Sequence, residues 1–600
     1  MTNVDIRQEI DSLIASGSAP DAARLLNEVW RAQGSAAVAG FVASRYEKIR
    51  DRLNLTRQRW AFLRSFTVEP ILPILKAGAY ASAVALDTHT GEFNAWQQEM
   101  LDPESPLYSF QPDVAVLAVQ TRDIAIENGL ERFRDAIAAF RKHSSAALIV
   151  HLLEQPATVP EGIFDAQQEN GTGEAIRNVN RGLREIAREY RGVYLLDYDA
   201  LVARHGRAHW GDERKWLTVR LPIASPNLPH MAAEWLRFLH PLAGKSAKCV
   251  AVDLDNTLWG GVIGEDGMNG IRLGQEYPGA AFQQVQRALL DLTKRGILLA
   301  ICSKNNPADA EEALSGHPGM LLQPRDFAAM RINWNDKAQN LREIAEELNI
   351  GLDSIAFLDD NPVERQHVRE HAPEAIVIDL PEDPMQYARA IRDCPWFERL
   401  SLSEEDRRRG ALYAAQRERA ELEKKVTSKE DFYRSLEQVC DIARVNESTV
   451  ARVAQLTQKT NQFNLTTRRY TEQQIAAMAE CPGWSVWSLR VKDRYEDNGL
   501  VGVAISKVQD GVCEIDTFLM SCRVIGRTVE TALLSRIAAD AKNKGALMLQ
   551  GQFIPTKKNV PAAGFYRDHG FIEDPDGVWK MDLRERGIAL PEWITIVEAG

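Results

Sequence analysis

Short apolar runs separated by longer amphipathic stretches recur along most of the chain. Ala81-Ser82-Ala83-Val84-Ala85-Leu86, Val114-Ala115-Val116-Leu117-Ala118-Val119 and Ala147-Leu148-Ile149-Val150-His151-Leu152 read as strands buried on both faces. Gly192-Val193-Tyr194-Leu195-Leu196-Asp197 is a fourth. A second series comprises Lys248-Cys249-Val250-Ala251-Val252, Ile297-Leu298-Leu299-Ala300-Ile301-Cys302 and Ile355-Ala356-Phe357-Leu358. Buried strands alternating with helical stretches predict parallel sheets and an α/β fold class. The pattern divides the chain into a helical segment over 1–65, an α/β domain over 66–244 and a second over 245–385. A helical linker over 386–439 and a third α/β unit over 440–600 follow, the last with a helix after Ser521. The run Glu404-Glu405-Asp406-Arg407-Arg408-Arg409 in the linker reads as a solvated helix face.

The length of 600 residues exceeds what one core organises. The net charge of −12 argues against nucleic acid as a partner. Seven cysteines, scattered and without a CxxC pair, suit a reducing cytosol. The start of the chain shows no basic-then-apolar signal, and no apolar run is long enough to cross a bilayer. A cytoplasmic protein with no membrane partner is expected.

The densest chemistry lies in Val252-Asp253-Leu254-Asp255-Asn256-Thr257-Leu258-Trp259. Two carboxylates emerge one residue apart where a buried strand ends, and residues i and i+2 of a strand share a face. Open α/β sheets place their chemistry at the carboxyl ends of strands. Two crowded acids there need a proton or cation between them, and Mg²⁺ prefers such oxygen ligands. Downstream, Ser303-Lys304-Asn305-Asn306 ends the next strand, Asn335-Asp336-Lys337 opens a helix, and Asp359-Asp360-Asn361-Pro362 ends a third strand.

These four motifs, in this order, resemble the signature of the haloacid dehalogenase superfamily. The resemblance implies a doubly wound, Rossmann-like domain. It makes Asp253 the nucleophile and Asp255 the general acid and base, with Ser303 and Lys337 holding the transferring phosphoryl group. Mg²⁺ would be bound by Asp253, Asp359, Asp360 and Asp255, the last through its backbone carbonyl. Thr257, Ser303, Lys304, Asn305 and Lys337 would face the substrate phosphate. Lys304 and Arg325 either add charge for a doubly phosphorylated donor or are solvated surface positions. Gly260-Gly261 permits a close backbone approach to substrate or a tight turn into a small cap.

The first α/β domain resembles a degenerate SGNH hydrolase. Leu86-Asp87-Thr88 stands where that family carries its Gly-Asp-Ser, and His230 stands where a late histidine falls. A non-catalytic domain is expected. The last unit resembles a GNAT acyltransferase through Arg523-Val524-Ile525-Gly526-Arg527-Thr528, Asn559 and Phe565-Tyr566-Arg567-Asp568-His569-Gly570-Phe571. That resemblance implies a pantetheine or coenzyme A site at Arg523, Gly526, Thr528, Asn559 and Tyr566. Tyr566 would be the general acid if the unit is active, and the alternative is a GNAT-shaped binding module.

Longer stretches narrow the reading. Asp253 to Gly267, Cys302-Ser303-Lys304-Asn305-Asn306, Thr460-Asn461-Gln462-Phe463-Asn464-Leu465-Thr466-Thr467-Arg468-Arg469-Tyr470 and Ser521-Cys522-Arg523 resemble FkbH-like proteins. This implies a glyceryl transferase/phosphatase that dephosphorylates 1,3-bisphosphoglycerate. The glyceryl unit would be loaded onto the phosphopantetheine arm of an acyl carrier protein, for polyketide biosynthesis. A cysteine in the site would hold the acyl group as a thioester. Cys302, beside Ser303, is the first candidate if the strand has ended by then, and a buried core residue otherwise. Cys522 is the second. A plain phosphatase of a small phosphometabolite and a non-catalytic carrier-binding module are the alternatives.

Overall fold

The computed structural model describes residues 3–402 and 428–597, with 419, 422 and 426 between them. The charged run Glu404 to Arg409 lies outside the described residues. The chain forms two compact units, Met1–Ala243 and Gly244–Gly600. No described helix is long and apolar enough to cross a membrane.

In the first unit, β1 (Thr56–Arg64), β2 (Val84–Thr90), β3 (Val114–Ala118), β4 (Ala147–His151) and β5 (Val193–Leu196) form one parallel sheet. Its order is β2-β1-β3-β4-β5. The helical expectation for 1–65 is corrected at β1. Trp60, Ala61, Phe62 and Leu63 are fully buried because this strand lies between two others, and both of its faces are covered. Helices Ala19–Gln33 and Ala36–Ile49 pack on the same core through Leu25, Leu26, Val38, Val42 and Tyr46.

The first strand of this sheet is therefore β1, directly followed by Ser65, whereas Thr88 lies within β2. Asp87 lies on the edge strand and is held by Arg50 at 2.8 and 3.1 Å. Ser65 lies where the sheet order reverses, between β1 and β3. Its hydroxyl donates to Asp123 Oδ2 at 2.6 Å and accepts from Gln120 N at 2.9 Å. His230 stacks on His205, with ring centroids 3.8 Å apart.

The Glu154 carboxyl group accepts from the Thr121 hydroxyl at 2.7 Å. Burial raises the Glu154 carboxyl to about 7, against about 4.3 in an unfolded chain. The folded form therefore holds a proton that the unfolded chain sheds. This group's contribution to stability is full at low pH and is lost as pH rises from about 4 to about 7. Glu154→Gln is expected to remove that slope, so the variant gains Tm over the wild type across this window. Thermal unfolding at a series of pH values checks it.

The second unit holds two sheets. β6 (Cys249–Val252), β7 (Leu298–Ser303), β8 (Phe327–Ile332), β9 (Ile355–Leu358) and β10 (Ile376–Ile378) form a parallel sheet of order β10-β9-β6-β7-β8. The third sheet is mixed. It comprises β11 (Gln438–Arg444), β12 (Phe463–Asn464), β13 (Trp484–Lys492), β14 (Asp497–Gln509), β15 (Val512–Met520), β16 (Met548–Gln552), β17 (Ile572–Glu573), β18 (Val578–Asp582) and β19 (Ile594–Val597). Its order is β17-β18-β16-β15-β14-β13-β11-β19, with β12 on β15.

β15 and β16 run parallel, paired only from Val512 to Ile515 and from Met548 to Gly551. Beyond that they part, and the chain itself fills the gap. Phe463 and Asn464 pair with Met520 and Leu519, Leu465 N donates to Phe518 O at 3.0 Å, and Ile554 N donates to Leu465 O at 2.8 Å. Inner-edge backbone groups of both strands are thereby satisfied within the chain.

Candidate active site

Asp359, Asp253 and Ser303 leave the carboxyl ends of three neighbouring strands, β9, β6 and β7. Lys337 begins the helix Lys337–Glu347 after β8, with Asp336 capping it by accepting from Gln339 N at 2.9 Å. The Lys337 ammonium lies 2.5 Å from Asp359 Oδ2 and 3.2 Å from Asp253 Oδ1. All four side chains are buried. Ser303 hydrogen-bonds Asp253.

Burial is the main force on the acids. It raises the Asp253 carboxyl, with Lys337 and Ser303 pulling the other way. Burial, reinforced by the Asp253 charge, raises Asp359 to about 6. Asp360 is raised by burial and then by Asp359. Burial alone would lower Lys337, but Asp253 and Asp359 outweigh it and hold the ammonium charged.

Carboxylate oxygens of Asp253, Asp359 and Asp360 lie within 4.8 Å of one another. Asp253 Oδ1 is buried and accepts no well-formed hydrogen bond, with the Lys337 ammonium 3.2 Å away. Three hard oxygen donors with an unsatisfied lone pair between them fit a small divalent cation. The Asp255 side chain stands apart from this trio. Its Oδ1 accepts from Trp259 Nε1 at 2.9 Å and Ile263 N at 3.0 Å, and its Oδ2 accepts from Asn305 Nδ2 at 2.9 Å.

Two residues expected at the substrate phosphate instead hold the acids. The Thr257 hydroxyl accepts from Asp360 N at 3.0 Å and donates to Asp360 Oδ1 at 3.2 Å. Asn305 is spent on Asp255. Lys304 pairs with Glu364 at 2.7 Å, and Arg325 is an exposed residue of a turn before β8. Gly261 makes the tight turn, with φ +92° and its N–H donating to Asn256 Oδ1 at 2.9 Å. Sequence reading missed Arg365, whose Nη1 donates to the carbonyls of Asp359 and Asp360 at 2.6 and 2.7 Å. No local pattern marks such a residue.

The cysteine expectations are corrected. β7 runs through Ser303, so Cys302 faces the opposite side. It packs with Cys249, Phe357 and Leu341, its Sγ lies 3.7 Å from Lys337 O, and burial pushes the thiol up. Cys522 packs against the same cluster, and its carbonyl accepts from Asn349 Nδ2 at 2.8 Å. Asn349 lies just past the far end of the helix that Lys337 begins, about 16 Å of helix away. Neither thiol enters the Asp253 site.

The residues expected at a pantetheine site are engaged within the chain. Both functional ends of the Asn559 amide are used: Nδ2 donates to Asn464 O and Ile554 O, each at 2.9 Å, and Oδ1 accepts from Thr556 N at 2.7 Å. Tyr566 is buried, its hydroxyl lies against Gly551 without a hydrogen bond, and burial pushes it up. Gly526 O accepts from Tyr433 OH at 3.1 Å, and Thr528 Oγ1 accepts from Trp593 Nε1 at 2.7 Å. Arg523 is buried, with Nε on Ser521 Oγ at 3.2 Å.

The sheet order and the Asp253, Ser303, Lys337, Asp359 set are similar to those of phosphatase domains of the haloacid dehalogenase class. The N-terminal part of BF1531 from Bacteroides fragilis, a structure containing a phosphatase domain complexed with Mg, is similar. It shares 27% identity over 61% of this chain and 100% of that one, with a TM-score of 0.56. More particularly, residues 72–240 match the family model of the FkbH N-terminal domain. The FkbH-like resemblance read from the motifs is thus borne out.

The ribosomal-protein-S18-alanine N-acetyltransferase of Escherichia coli matches at 14% identity over 25% of this chain and 99% of that one, TM-score 0.20. Rv2747 of Mycobacterium tuberculosis, in complex with CoA and NLQ, matches at 19% over 22% and 72%, TM-score 0.18. These values carry no inference about ligands. A comparison with curated proteins gives no significant match.

Proposed function

We propose that the chain is a Mg²⁺-dependent glyceryl transferase/phosphatase that uses 1,3-bisphosphoglycerate and loads a glyceryl unit onto an acyl carrier protein in the cytoplasm, for polyketide biosynthesis. The observation that carries the phosphatase half is Lys337 bridging Asp253 and Asp359 beside Ser303. The match to the FkbH N-terminal domain supports the finer reading.

Asp253 attacks the phosphorus of the phosphomonoester, forming an aspartyl phosphate while the P–O bond to the three-carbon unit breaks. Asp255 protonates the departing oxygen, then takes a proton from the water that cleaves the aspartyl phosphate. Ser303 and Lys337 hold the phosphoryl oxygens as charge shifts onto them. Mg²⁺ held by Asp253, Asp359 and Asp360 would supply charge neutralisation for the phosphate. At the other end of the donor, the acyl phosphate is an activated anhydride. A thiolate attacking its carbonyl forms the thioester and expels phosphate. The Asp253 site contains no cysteine, so that thiol comes from outside it, and the carrier's phosphopantetheine arm supplies one.

Intact-protein mass spectrometry tests this, with Mg²⁺, 1,3-bisphosphoglycerate and a phosphopantetheinylated carrier. A glyceryl-sized gain on the carrier is expected, unchanged by Cys302→Ala. Phosphate release with no adduct on enzyme or carrier would leave the second reading, a plain phosphatase of a small phosphometabolite.

A further inference from the structure

We infer that Trp259 and Asn305 are positioning residues that fix which oxygen of Asp255 exchanges the proton with the leaving group, namely Oδ2. The inference rests on the reading of Asp255 as the acid and base of the phosphatase step.

The carboxyl group has two oxygens, and the structure treats them differently. Oδ1 accepts two N–H donors, the indole of Trp259 at 2.9 Å and the main chain of Ile263 at 3.0 Å. Both in-plane lone pairs of Oδ1 are thereby taken, and neither donor can accept a proton. Oδ2 accepts one donor, Asn305 Nδ2 at 2.9 Å, and keeps one lone-pair position. A proton on this carboxyl group therefore sits on Oδ2. The amide of Asn305 is itself fixed in sense, because its Oδ1 accepts from Asn306 N at 3.0 Å. Trp259 is fully buried, packed with Leu254, Leu258 and Ile263. The two side chains come from different strand-end loops, and together they remove the torsional freedom of a short side chain in a turn. Asn256, beside it, already adopts φ +53°.

In the first step Oδ2–H passes its proton to the leaving oxygen as the P–O bond breaks and the Asp253–phosphorus bond forms. In the second, a water O–H bond breaks, the proton returns to Oδ2, and the water oxygen displaces Asp253 from phosphorus. A clamp that orients Oδ2 matters most when the leaving oxygen is strongly basic. It matters little when that oxygen departs readily as an anion.

The test uses the full chain with Mg²⁺ and two substrates, glycerol 3-phosphate and p-nitrophenyl phosphate. Asn305→Ala and Trp259→Phe are each expected to lose about ten- to a hundredfold in kcat on the alkyl ester. The expected loss on the nitrophenyl ester is no more than a few-fold, with KM nearly unchanged on both. Equal losses on both esters, or a change in KM alone, would show a merely structural role and overturn the inference. Asn305→Ala covers the case in which Trp259→Phe fails to fold. Asp255→Asn is the reference: if its own losses do not grow with leaving-group basicity, the acid/base reading falls and the clamp with it. If they do grow while the two clamp variants lose evenly, only the clamp is wrong. A wild type inactive on both esters overturns both.

Discussion

Asp253→Asn is expected to abolish phosphatase turnover, by roughly 10⁴-fold or more, the scale seen when a nucleophile is removed from a site acting as a unit. The amide matches the carboxylate in shape and can keep the Ser303 contact, so the variant should melt as the wild type does. What it lacks is an anionic oxygen able to bond phosphorus. Two measurements check this: turnover on an alkyl phosphate, and mass spectrometry of acid-quenched enzyme. The latter should show a phosphoryl-sized gain in the wild type and none in the variant. Retention of more than about a hundredth of wild-type turnover, a level far above that scale, would remove Asp253 as the nucleophile.

Lys337→Met should affect stability as well as rate. The ammonium is the buried cation lying against both Asp253 and Asp359. Its removal leaves acids crowded without that charge. Breaking a buried ion pair on one side costs about 3–5 kcal/mol, so the variant's Tm should fall clearly below the wild type. Mg²⁺ should then raise Tm more in the variant than in the wild type, because the cation offsets the same charge. Turnover should fall by about 10²- to 10³-fold, as when one fixed donor to developing charge is lost. A variant with wild-type Tm and wild-type response to Mg²⁺ would contradict the electrostatic account of the site.

The phosphatase part of the site was legible because its residues occupy strand ends, which hydrophobic runs mark well. Asp253, Ser303 and Asp359 each follow a short buried run, and the runs proved to be neighbouring strands. Errors arose where one residue of strand length decides a direction. β7 ends at Ser303 rather than Cys302, and that single position turns the thiol into the core. Thr257 and Asn305 were legible as residues of the site but not by role, since a hydroxyl or amide suits a phosphate and a carboxylate equally.

In the first unit, β1 was hidden because its buried stretch Trp60-Ala61-Phe62-Leu63 is flanked by Arg57, Arg59 and Arg64, and charged flanks read as an amphipathic helix. Ser65 was therefore overlooked in favour of Thr88. In the last unit, Asn559 and Tyr566 were singled out from motif spacing alone. The surroundings of Asn559 depend on a distant segment, Phe463 to Leu465, that no local pattern ties to it.

That segment also bears on the order in which the chain can fold. Leu465 is stitched on one side to Phe518 and on the other to Ile554, partners far along the chain in the same direction. Contacts of such sequence separation are slow to form, because long loops must close before they are rewarded. The hairpin of β13 and β14, local in sequence, can assemble well before. The third sheet can be completed only after the ribosome has released the chain past β19, at Val597. Until β15 has emerged, Phe463 and its neighbours are an unpaired, partly apolar stretch that needs protection while the chain is being made.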